Sequence, residues 1–157
     1  MRNRVVPFAA LAAIAAGLLA GCGGSDPPSQ QEFAQKADEI CADVETRVNE
    51  LNKANPQSIS DLTRFIDQLK AAVDDGINRL QGLDRPEGDA GATAKQFTDT
   101  LDTEYKDQVL PALNQLEKAV IDRDKEALKA ASKRLDAVKD TKSNQLASQL
   151  GAKKCAK

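Results

Sequence analysis

Histidine is absent from the 157 residues. That excludes imidazole acid–base chemistry, histidine metal ligands, nucleophile–histidine pairs and histidine pH switches. Tryptophan is also absent, and the aromatics are limited to four Phe and one Tyr. Basic excess is missing too: 22 Lys and Arg stand against 24 Asp and Glu. A nucleic-acid binder needs a basic face with stacking aromatics, so no nucleic-acid partner is expected. No run alternates with period two, which leaves β-strands without a sequence signal. No catalytic, metal-binding or nucleotide-binding constellation stands out. The expectation is a protein that is not an enzyme and carries neither metal nor cofactor.

What is present begins with a three-part N-terminus. Arg2 and Arg4 supply a positive start, and an apolar run extends from Val5 to Ala20. That run is about 16 residues, short of the roughly 20 that a spanning helix needs. This is the layout of a secretory signal. Its ending, Leu19-Ala20-Gly21-Cys22, resembles the lipobox of bacterial lipoproteins. The resemblance implies that the Cys22 thiol takes a diacylglyceryl group and that a peptidase then cuts before it. The lipid partner would be held through Cys22. The other reading is a plain secretory signal cut near Ala20, with Cys22 a leftover thiol.

On the lipobox reading, residues 1–21 are a signal peptide and residues 22–28 a linker. The linker, Gly23-Gly24-Ser25-Asp26-Pro27-Pro28, is flexible and then stiff. Residues 29–157 form the folded domain. Two buried acyl chains hold stably where one holds only marginally. The expected location is therefore the extracytoplasmic side of a cell membrane, lipid-anchored. Losing Arg2 and Arg4 leaves 20 basic against 24 acidic residues, a mild imbalance.

With Cys22 lipidated, Cys41 and Cys155 remain as a pair. Export places them in an oxidising compartment, where two thiols normally become one disulfide. Two buried free thiols are the alternative. A redox-active pair is not indicated, because no C-x-x-C spacing exists.

The remaining chain reads as helix throughout. A first helix is predicted from Ser29 to Asn52, with a Ser29–Glu32 capping box. Its apolar stripe contains Phe33, Ala37, Ile40, Val44, Val48 and Leu51, and Cys41 lies at the edge. A second helix starts at Ser58 or Ser60 and reaches Leu83, with Gly76 inside it. A third spans Ala90 to Ile121 and contains Pro111, which predicts a kink, or a break near Val109. A fourth runs from an Asp124 cap to Leu150, with a weaker stripe from Leu128 to Leu150 and Gly151 as its stop. Lys125, Lys129 and Lys133 line another face, which reads as solvated.

Four amphipathic helices with short connections predict an all-α fold, an up-down-up-down four-helix bundle kinked at Pro111. Cys41 sits about 16 Å along the first helix at 1.5 Å per residue. The tail after Gly151 must therefore fold back to reach it.

The lipobox, the linker, Phe33 to Cys41 and the closing Leu150-Gly151-Ala152-Lys153-Lys154-Cys155 together resemble the small helical lipoproteins of actinobacteria. The resemblance implies an exported, lipidated, helical and disulfide-closed protein. It supplies no activity.

Two functions follow as expectations. The first is a non-enzymatic module that binds an envelope protein or another envelope component. The second is a small-ligand carrier or sensor, with a cavity between helices near Tyr105, Pro111 and Gly76. Acidic groups at Asp38, Glu39 and Asp43, and at Asp74 and Asp75, suit a solvated face better than a catalytic site. Lys153, Lys154 and Lys157 are placed near the tethered end, where each would gain about 1 kcal/mol from anionic headgroups.

Overall fold

The computed structural model describes residues 26–138 and 141–157. The predicted signal peptide, Cys22 and the first part of the predicted linker lie outside the described residues. Six α-helices follow in order: α1 (Gln30–Lys53), α2 (Ile59–Gln81), α3 (Gly88–Glu104), α4 (Leu110–Asp122), α5 (Lys125–Asp136) and α6 (Lys142–Leu150). The described residues contain no strand.

Local chemistry sets the helix starts. Ser29 Oγ accepts the Glu32 N–H at 3.2 Å, and the Ser29 N–H donates to Glu32 Oε2 at 2.7 Å. This reciprocal pair is the capping box expected at α1. Ser58 rather than Ser60 caps α2, its hydroxyl accepting the Asp61 N–H at 3.1 Å. Asp124 caps α5 as expected, accepting the N–H groups of Glu126 and Ala127, both at 3.0 Å.

Between α3 and α4 the helical path continues through a π turn, Tyr105–Val109. The Leu110 N–H bonds to the Tyr105 carbonyl, five residues back. Pro111 explains the wider turn. Its ring has no N–H to give to the Asp107 carbonyl and clashes with it in a regular helix. One wide turn just before the proline relieves both problems, and the helix proceeds without a break.

The predicted fourth helix is instead two. Residues 125–136 and 142–150 are helical, with the path interrupted between them. Thr141, Ser143 and Asn144 favour a new helix start over a helix interior. Accordingly Thr141 caps α6, its hydroxyl accepting the Asn144 N–H at 3.4 Å.

The helices pack side by side. α1 lies on α2, α2 on α3 and α4, α4 on α5, α3 on α6, and α6 on α1. α5 and α6 thus run back along α4 and α3 in turn. The main core gathers Phe33, Ile40, Leu80, Phe97, Leu146 and Leu150 in the half of the molecule where α6 is present. In the other half Ile66, Leu113 and Ala131 are buried. There Val44, Val48 and Leu51 of the α1 stripe are only half-buried. The reason is that α6 is too short to follow α1 further, and α5 packs on α4 instead. Leu128, expected inside, is 37% exposed on α5.

Gly76 marks where α1 and α2 come closest. A Cβ built there would sit 2.5 Å from Val44 Cγ2, on a stiff β-branched side chain. Glycine to alanine inside a helix ordinarily gains about 1 kcal/mol. Overpacking costs about 1–3 kcal/mol. We expect Gly76→Ala to lower the urea midpoint, and the same substitution made in a Val44→Ala background to raise it. A Gly76→Ala protein more stable than the parent contradicts the close approach.

Candidate functional site

The two predicted disulfide residues meet. Cys41 and Cys155 are bonded, with their Cα atoms 5.3 Å apart. The approach is built from α6 outward. Gly151 ends α6 at φ +87°, a backbone conformation that favours glycine. The Ala152 N–H then reaches back to the Ala147 carbonyl at 2.9 Å, a Schellman closure that buries Ala152 completely. Gln30 Nε2 donates to the carbonyls of Gln149 and Leu150, both at 3.2 Å. The start of α1 and the end of α6 are thereby joined.

Beyond Gly151 the tail turns back, as the cysteine spacing requires. The Asp38 carboxylate accepts the backbone N–H groups of Lys153 at 3.1 Å, Lys154 at 2.6 Å and Cys155 at 3.4 Å. Further on, Asn144 Nδ2 donates to the Lys157 carbonyl at 3.3 Å. Lys153 and Lys154 therefore sit level with Asp38, about 12 Å along α1 from its first residue.

The other end of α6 is held by a residue that the sequence did not single out. Glu104 accepts the N–H of Lys142 at 3.0 Å, the N–H of Ser143 at 3.4 Å and the Ser143 hydroxyl at 2.5 Å. A carboxylate suits the positive end of a helix. Ser143 is 2% exposed, so its hydroxyl needs that partner. The available signal was the Thr141-Lys142-Ser143-Asn144 run, which marks a helix start, though not which acid faces it.

Of the remaining acidic candidates, Asp43 and Asp75 are consumed by ion pairs. Arg79 bridges to Asp43 at 2.5 Å and to Asp75 at 3.6 Å, and Arg47 pairs with Asp75 at 2.7 Å. These alternating charges cross from α1 to α2 in solvent, where such pairs add little to stability. Glu39 is exposed, as are Lys125, Lys129 and Lys133. No group of three or more metal-ligating side chains occurs among the described residues. None of the described helices is long and apolar enough to cross a membrane.

A cavity was anticipated near Tyr105, Pro111 and Gly76; a cleft of about 290 Å³ opens beside the π turn, lined by Tyr105 and not by Gly76. Pro111 is not among its lining residues. Val73 and Ile77 of α2, Leu101 of α3, Val109 of the π turn and Val138 after α5 give it aliphatic walls. Thr141, Asn144, Glu104 and Lys157 form its polar side. Two features border this level: the π turn widens the α3–α4 path, and the helical path is interrupted between α5 and α6.

Tyr105 lines the same cleft and is 3% exposed. Its hydroxyl donates to the Lys70 carbonyl at 3.5 Å, the outer limit for such a bond. Burial pushes its phenol up to about 12, and the nearby Asp74 carboxylate adds to the shift by opposing a phenolate.

The chain matches no family model, no curated protein and no solved structure.

Tyr105 is the only tyrosine, and tryptophan is absent, so phenolate absorbance reads this one site. We expect a folded-state midpoint about two units above the usual value near 10. The unfolded state loses its proton first, so stability is full below pH 10 and falls as pH rises from about 10 to about 12. A midpoint at 10 in the folded protein contradicts the burial of this hydroxyl.

Proposed function

We propose that this chain is a membrane-anchored extracytoplasmic lipoprotein whose helical domain binds an envelope partner without catalysing a reaction. Cys22 carries the acyl groups, and residues 23–28 space the domain from the lipid. One observation carries the reading. Cys41 and Cys155 satisfy each other, which leaves Cys22 as the odd thiol, at the end of an apolar run with a lipobox-like close. A disulfide also fits an oxidising compartment. The engagement of Asp38, Glu104, Asp43 and Asp75 in structural bonds supports a non-enzymatic role.

We read the architecture in the same spirit as an up-down-up-down bundle. Its third rod bends at Pro111 and its fourth is split into α5 and α6. The Gln30 contacts join the start of α1 to the end of α6, which supports a tether on that side of the bundle.

A second reading is a small-ligand carrier or sensor, and the cleft beside Tyr105 favours it. Its volume stands just below the range of about 300–1,000 Å³ usual for ligand sites.

Anchoring is tested by expressing the full chain in a bacterial host, separating membranes, and measuring the mass of the N-terminal peptide. The expected result is a first residue Cys22 bearing diacylglycerol, with the protein in the detergent phase. Cys22→Ser should move it to the aqueous phase. An unmodified Cys22, or a mature chain that starts elsewhere, overturns the proposal.

A further inference from the structure

We propose that the cleft beside the π turn binds a neutral, mainly apolar small molecule with a single hydrogen-bonding head group. This rests on the carrier or sensor reading. The shape of the site argues for a small ligand. At about 290 Å³ the cleft holds only a short chain or a single ring. Its walls argue for an apolar body. Val73, Ile77, Leu101, Val109 and Val138 face the space from four separate segments, and none of them can accept or donate a hydrogen bond.

Electrostatics selects the head group. Glu104 and Lys157 are the charged side chains in the lining, and they carry opposite signs. Glu104 already accepts three hydrogen bonds at the start of α6, which leaves it little capacity to hold a cationic ligand. A charged head group would be desolvated with no net opposite charge waiting for it. A neutral one needs only a partner or two. Thr141, Asn144 and Tyr105 are lining residues that carry hydrogen-bonding groups. An alcohol or an amide on a short hydrocarbon body fits these terms.

The cleft is also a product of the fold's irregularities. The π turn, the interruption before Thr141 and the returning tail each contribute lining residues. π turns inside α-helices frequently occur at functional sites.

The single tyrosine makes the test direct. The full chain, with its disulfide intact, is titrated with 1-octanol, octanoate and octylammonium while Tyr105 emission and the melting temperature are followed. Octanol should give a saturable emission change with a dissociation constant of about 10 µM to 1 mM, as expected for so few ligand atoms. The two charged probes should bind at least tenfold more weakly. Val109→Phe should abolish the response while the helical circular dichroism persists. Val138→Phe serves the same purpose if the first variant does not fold.

Equal or tighter binding of octanoate or octylammonium overturns the neutral-ligand assignment and leaves the cleft as a site. Octanol binding that survives in both phenylalanine variants overturns the location. No saturable response to any of the three probes overturns this proposal and the carrier reading together.

Discussion

Everything in this fold hangs on how the far end of the chain is returned to the first helix. The Cys41–Cys155 bond joins positions separated by 114 residues. Around it, Asp38 accepts from three tail N–H groups, and Gln30 donates to the last carbonyls of α6. α6 has only 9 residues, too few to be stable as an isolated helix. Its stability comes from being pinned at both ends, by Glu104 at its start and by the tail and α1 at its finish. Where α6 is held, the core is dry and contains two fully buried phenylalanines, Phe33 and Phe97. Where α6 is missing, α1 keeps only α2 as a neighbour, and its stripe is half-solvated.

That asymmetry explains which parts of the fold could be read in advance. Caps and stops are local chemistry, so the Ser29 box, the Asp124 cap and the Gly151 stop were visible in a few residues each. The stripe on α1 was legible as a pattern, and Phe33, Ala37 and Ile40 are buried as it implies. The same pattern named Val44, Val48 and Leu51, and here it failed. Periodicity says which face is apolar, whereas burial depends on whether another helix arrives to cover it. The split fourth rod was missed because Ala, Leu and Lys dominate residues 125–138 and carry the helical signal past its end. The π turn was anticipated only as a disturbance at Pro111, since a proline fixes where a helix must yield and leaves open how.

The candidate site shows the same division. The cysteine pairing followed from counting thiols and assigning a compartment. Of the three residues named for a cavity, Tyr105 lines the cleft, whereas Gly76 and Pro111 do not. The roles of Asp38 and Glu104 were not legible, because each serves a segment more than 35 positions away in sequence. Asp38 appeared only as one of several surface acids, and Glu104 was not marked at all. Both prove to be acceptors for backbone groups that would otherwise lack partners, which is a structural duty. The fold spends these two carboxylates on its own backbone. It has also left one apolar space open, at the height where its fourth rod is interrupted.

The return of the tail is best tested by comparing the oxidised protein with Cys41→Ala/Cys155→Ala in urea unfolding, with hydrogen exchange read along the chain. A closed loop of this length stabilises by about 4–5 kcal/mol in the chain-entropy treatment, and often by less. The account predicts a loss of that order, with α6 and the tail losing protection first while α2 and α4 keep theirs. An unchanged midpoint, or protection lost evenly across all helices, contradicts it.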